Sequence, residues 1–301
     1  MRPRETLAEL ERRLERLSVD LPELAEPIAL QAGLIRARVE MLEPDLPPLR
    51  LATHVAADRL RSGTPLLHQA PAFVDIGWSA GLFGRLVDVA ARQNANGALE
   101  AIVSALDEGV LDLEALFTEA FVQHREHVAQ IAADADVDAD QLASLAWLAV
   151  APLLAAYAAQ LAPFLERGLG AWDRGYCPVC GAWPGLAERR GIQRLRHLRC
   201  LSCGTGWPAP SGVCAYCGAV DEVQRLGVQG EPRFGIEECD RCRGYLKTVR
   251  AFDPSPTVLL PLDDLASVHL DRLAQERGYA RPSGPGFPID LADDALPVHL
   301  A

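Results

Sequence analysis

All eight cysteines of this chain fall between positions 177 and 242, as four Cys-x-x-Cys pairs: Cys177/Cys180, Cys200/Cys203, Cys214/Cys217 and Cys239/Cys242. Nineteen residues separate the first two pairs and twenty-one the last two, so one pattern occurs twice in tandem. The spacing suits a tetrahedral metal, because a two-residue gap lets both thiolates of one tight knuckle reach a single ion. The intervening loop then returns the second knuckle on the arm of a small β-hairpin. Glycine follows the second cysteine at Gly181, Gly204 and Gly218, where a backbone at positive φ can turn its amides toward sulfur, whereas Arg243 stands there in the fourth knuckle.

Disulfides and thioredoxin-like redox pairs are the alternatives, but two matched sets of four in so short a segment favour metal binding. Zinc and iron both accept four thiolates, so the spacing leaves zinc-ribbon and rubredoxin-type sites open. The chain carries a net charge of −12 and Lys247 as its single lysine, a poor balance for holding a phosphate backbone. The charge is uneven: residues 171 to 250 hold twelve basic against eight acidic side chains, an excess expected to offset the thiolate clusters first and to form a binding surface second. The beginning of the chain lacks a secretory pattern, and clustered reduced thiols fit a reducing compartment, so the cytoplasm is the expected location. The stretch from Leu142 to Leu165 has no charge and is long enough to cross a bilayer, but its alanine content, Pro152 and Pro163 favour a buried core helix and no membrane insertion.

Residues 1–170 read as a helical domain of six or seven helices. Thr6 with Glu9 forms a capping box for the first, Pro27 enters the second, and a third runs from Leu49 to Ser62. Further helices are expected over 79–93, 97–106 and 111–133, the last as one continuous element. His124 and His127 stand three apart, but without a His-Glu-x-x-His order they read as a solvated face. Residues 171–211 and 212–252 form the two four-cysteine modules, and 253–301 a C-terminal helix capped by Asp263 with an irregular tail from Pro282. The expected class is a multi-domain α+β protein: an N-terminal helical bundle, two tandem small β modules and a C-terminal helix.

Several runs together resemble the formate dehydrogenase accessory protein family, FdhE. They are Cys177-Pro178-Val179-Cys180-Gly181, Leu198-Arg199-Cys200-Leu201-Ser202-Cys203 with Trp207, Cys214-Ala215-Tyr216-Cys217-Gly218, and Cys239-Asp240-Arg241-Cys242-Arg243-Gly244-Tyr245-Leu246-Lys247. Asp263-Asp264-Leu265-Ala266-Ser267 and Gly278-Tyr279 continue the likeness, and Gly63-Thr64-Pro65-Leu66-Leu67 carries it into the helical part. The resemblance implies a non-enzymatic cytoplasmic maturation factor with two rubredoxin-like modules. Such a factor binds the catalytic subunit of a molybdenum or tungsten formate dehydrogenase before export. It also implies two metal ions held by the eight cysteines, iron ahead of zinc.

Arg199, Arg241, Arg243 and Lys247 lie beside the ligands and are candidate partner contacts, with neutralisation of the thiolates as the equal alternative. Two other functions stay open. One is redox chemistry at the modules or with a partner's thiol or selenol. The other is a nucleic-acid-binding ribbon, against which the charge balance argues.

Overall fold

The computed structural model describes residues 3–41, 43–93, 99–228 and 231–292. The chain divides into two compact units, the first made of residues 1–50, 69–160 and 289–301 and the second of 51–68 and 161–288.

The first unit is helical: α1 (Pro3–Asp20), α2 (Ala25–Glu40), α4 (Ile76–Gln93), α5 (Glu100–Asp107), α6 (Leu113–Val122), α7 (Arg125–Asp134) and α8 (Ala139–Gly168), whose last turns belong to the second unit. Helix α1 begins at Pro3, so Thr6 lies inside it and Glu9 accepts instead from Arg12 and Arg13. Asp75 caps α4 by accepting from the Trp78 amide at 2.9 Å. The expected start of the next helix, at Gly97, lies outside the described residues, and α5 is helical from Glu100.

The single helix expected over 111–133 is two. Asp112 caps α6 through the Ala115 amide, and Gln123 takes φ +66° to end it, the His124 amide reaching back to Glu119 O at 2.9 Å. Neither glycine nor proline marks the break, which is why the apolar periodicity read through it.

Helix α8 supplies the core. Leu142, Ala146, Ala149, Val150, Leu153, Leu154 and Tyr157 are fully buried, and Phe121 meets Tyr157 edge to face at 6.2 Å. Among the described residues it is the one helix long and apolar enough to cross a membrane, and 56% of that apolar window is buried inside the protein.

The second unit contains α3 (Thr53–Ser62), one six-stranded sheet, α9 (Leu260–Ala266) and α10 (Val268–Glu276). The strands are β1 (Leu186–Arg190), β2 (Leu195–Arg199), β3 (Gly206–Pro208), β4 (Val223–Val228), β5 (Glu231–Cys239) and β6 (Tyr245–Ala251), in the order β3-β2-β1-β6-β5-β4. The pairs are antiparallel except at the centre, where β1 runs parallel to β6 with Leu186 opposite Lys247 and Arg190 opposite Ala251. The two expected β modules are therefore fused. The second repeats the first in the same orientation, displaced along a continuous sheet, and α9 and α10 pack beside it.

Tyr157 gives a test of the helical core. Its hydroxyl is held between the Phe73 amide at 2.8 Å and the Phe73 carbonyl at 3.1 Å. Removing it leaves a half-buried amide and carbonyl without this partner, so Tyr157→Phe is expected to lower stability by about 1 kcal/mol, read as a shift in denaturant midpoint with an unchanged slope.

Candidate metal centres

Each knuckle is built the same way. The amide of its first cysteine donates to the carbonyl five residues on, at Ala182, Thr205, Ala219 or Gly244, over 2.8–2.9 Å. In return, Gly181, Gly204, Gly218 and Arg243 donate their amides to that cysteine's carbonyl over 2.9–3.1 Å. This turn needs positive φ at its fifth position. The three glycines take +71°, +76° and +71°, and Arg243 takes +56°, so the fourth knuckle keeps the shape with a side chain in place of glycine. Amides of Val179 and Tyr216 point at the sulfurs of Cys177 and Cys214, both at 3.4 Å.

The hairpins then bring knuckles together in pairs. Cys177, Cys180, Cys200 and Cys203 form one set of sulfurs and Cys214, Cys217, Cys239 and Cys242 the other, with all ligand atoms of a set within 4.8 Å of one another. Sulfur separations are 3.5 Å for Cys177–Cys203 and Cys180–Cys200, and 3.7 Å for Cys214–Cys242 and Cys217–Cys239. A tetrahedron with metal–sulfur bonds of about 2.3 Å has edges of about 3.8 Å, so the spacing fits one metal ion per set. It is far beyond the roughly 2.05 Å of a disulfide. Burial pushes the Cys177 thiol well up, while Cys200, also buried, is drawn well below the ordinary thiol value by hydrogen bonds from Cys177, Cys180 and Cys203. Four thiols so close do not ionise alike without a cation among them.

The basic side chains have other employment than the thiolates. Buried Glu188 accepts from Arg199 at 2.6 Å and pairs with Arg190, and buried Glu237 accepts from Arg189 and from Arg196, each at 2.7 Å. Lys247 is fully buried, with its ammonium 2.8 Å from Asp264 and 2.6 Å from Asp271. Arg199 and Lys247 are thus corrected from partner contacts to internal cations, because their charge is already matched beneath the surface. Arg241 and Arg243 are exposed, and the Arg243 guanidinium stacks 3.8 Å from the Tyr279 ring centre. Asp263 is corrected too: it lies within α9, buried, accepting from Ser255 Oγ at 3.2 Å and paired with Arg233. His124 and His127 share one oxygen of Glu119 through their Nδ1 atoms, at 2.9 and 3.0 Å, which pins the turn between α6 and α7.

One contributor was not legible as such. The run Gly63-Thr64-Pro65-Leu66-Leu67 clamps the first knuckle, since the amides of Leu66 and Leu67 donate to Pro178 O at 2.8 Å and Val179 O at 3.0 Å. Tyr176 completes the clamp with a 2.7 Å hydrogen bond to Gly63 O.

Residues 213–286 match the family model described as FdhE, C-terminal domain. The chain also aligns over 140 residues with Protein FdhE of Escherichia coli O127:H6 at 35% identity and of Shigella boydii serotype 18 at 34%. The crystal structure of the FdhE protein from Pseudomonas aeruginosa superposes with a TM-score of 0.57 at 26% identity, covering 94% of both chains. The chain is thus similar to FdhE proteins by sequence over its C-terminal part and by fold over nearly its whole length. The alignment with the Escherichia coli FdhE spans 46% of this chain and 45% of that relative, so the chain matches less than half the length of the curated relatives. Within the FdhE C-terminal match lie the second four-cysteine set, Tyr245-Leu246-Lys247 and both helices α9 and α10.

Glu188 offers a test of the buried ion pairs. Its burial raises the carboxyl pKa, but Arg199, the Ser255 amide and Arg190 outweigh that and hold it below the ordinary glutamate range. A depressed folded value contributes stability above the unfolded value and loses it as pH falls through the folded one. Glu188→Gln is therefore expected to cost about 3–5 kcal/mol at neutral pH by stranding buried guanidinium. In urea melts with saturating metal, the gap from wild type should narrow as acid protonates the native carboxylate.

Proposed function

We propose that this chain is an FdhE-type accessory factor in the maturation of a formate dehydrogenase. It binds the catalytic subunit of a molybdenum or tungsten enzyme in the cytoplasm before export, and is not itself a catalyst. The observation that carries the reading is the FdhE C-terminal match centred on the second cysteine set and the elements docked against it. The helical unit, whose likeness to FdhE is one of fold across the solved structure, is the other surface available to a client.

The eight cysteines would hold two metal ions, iron favoured by the family resemblance and zinc the alternative. When bound, each ion supplies a rigid four-way crosslink. This chain's own residues do the rest: the knuckle amides steady the sulfurs, and the buried carboxylates lock the strands that carry them. A nucleic-acid-binding role is disfavoured because Arg189, Arg196, Arg199 and Lys247 are committed to internal carboxylates.

The test is an anaerobic affinity pull-down of the tagged protein from its own cytoplasm, with mass spectrometry of the partner and elemental analysis of the same eluate. A formate dehydrogenase catalytic subunit is expected with the intact protein and is expected to be lost when Cys177 and Cys239 are both changed to serine. Recovery of nucleic acid, or of an unrelated redox enzyme, would overturn the assignment.

A further inference from the structure

The two cysteine sets share one knuckle design but differ in what covers them. In the first set all four cysteines are buried, none more than 2% exposed. The Leu66 and Leu67 amides clamp Pro178 and Val179. A Cβ added at Gly204 would lie 2.1 Å from the Thr257 side chain, and one at Gly181 2.1 Å from Phe287 O. The Gly181 carbonyl also accepts from the amides of Gly286 and Phe287, at 2.9 and 3.0 Å. Three segments remote in sequence thus close over the first set.

The second set is open. Cys214 and Cys239 are buried, but Cys217 and Cys242, the second cysteine of each knuckle, are exposed. A Cβ added at Gly218 would meet nothing within 4 Å. A cavity of about 280 Å³ opens beside Cys214 and Cys217. Trp172, Tyr176, Trp183 and Tyr216 line it, successive rings standing edge to face at 5.4, 5.9 and 5.4 Å.

We propose that the two sets divide their labour: Cys177, Cys180, Cys200 and Cys203 make a sealed structural centre, and Cys214, Cys217, Cys239 and Cys242 an exchange centre that accepts an external thiol at its Cys217/Cys242 edge. A tetrathiolate centre keeps its ligands where packing excludes competitors and yields them where solvent reaches the sulfur. In the exchange, the entering thiol gives its proton to the departing cysteine sulfur, one metal–sulfur bond replaces another, and no electron moves. The cavity, lined by Asp173, Arg174 and Arg196 as well as by the aromatic rings, is the approach on the Cys217 side. The proposal rests on both sets being metal centres and is independent of the client.

The experiment uses the full chain loaded with zinc and a chromogenic zinc chelator. Release is expected in two phases of equal amplitude, one ion in each, with added β-mercaptoethanol accelerating only the fast phase. Cys217→Ser should abolish the fast phase and leave the slow one. A parallel measurement needs no variant: brief maleimide labelling of the loaded wild-type protein, mapped by mass spectrometry, should mark Cys217 and Cys242 before any cysteine of the first set. Release in a single phase, insensitivity of the fast phase to the added thiol, or first labelling within the Cys177 set would each overturn the proposal. None of these outcomes depends on recovery of a formate dehydrogenase subunit, so the pull-down can fail while this stands, and the reverse.

Discussion

Everything in the second unit answers to the convergence of four sulfurs on one point, twice. Four-way convergence demands two knuckles at the same end of a hairpin, and each knuckle demands a left-handed residue at its fifth position. Once these are met, the strands between have little freedom: β1 with β2, and β4 with β5, must pair antiparallel to bring the second knuckle home. Small β lobes of this size bury too little apolar surface to stand alone, so the metal crosslink and the fusion of the lobes into one sheet supply what a core would otherwise provide.

The fusion has its own chemistry. In β1 and β2, Arg189 lies directly opposite Arg196, two like charges that would repel in an isolated hairpin. Glu237 of β5 reaches both, so the defect of the first module is answered only by the second. The same logic joins β6 to the helices behind it: Lys247 and Arg281 face Asp264 and Asp271, while Tyr245 donates to Asp271 at 2.7 Å. The Tyr-Leu-Lys run and the Asp-Asp-Leu-Ala-Ser run, separate in sequence, meet in one ionic contact between buried Lys247 and half-buried Asp264. Buried ion pairs of this kind contribute less to net stability than to register, because either partner alone would be an unmatched charge in a low dielectric.

What the sequence made legible was local. The pairing of cysteines, the glycine turns, the uncharged core helix and most helix positions follow from spacings of a few residues. What it hid depends on distant segments or on residues that break habit. Gln123 ends a helix in a left-handed conformation without a glycine signal, and Arg243 does the same in the fourth knuckle. Charge counting registers the excess of cations over a segment but not the buried carboxylates that Arg189, Arg190, Arg196 and Arg199 face. The 63–67 clamp carried a family likeness with no visible reason. Its reason is a pair of backbone hydrogen bonds to a knuckle more than a hundred residues away.

The same distinction governs the two centres. Their ligand motifs are near copies, and nothing inside either Cys-x-x-Cys pattern separates a permanent crosslink from a labile one. The difference lies in Leu66 and Leu67, Thr257 and Phe287, which cover the first set, and in the open space over Gly218 in the second. The first site is inaccessible because the chain before it and after it folds back across its knuckles, while the second has its outer cysteines exposed. Reactivity in such a pair is therefore a property of the cover rather than of the ligands, and substitutions that alter the cover can move it from one centre to the other with all eight cysteines unchanged.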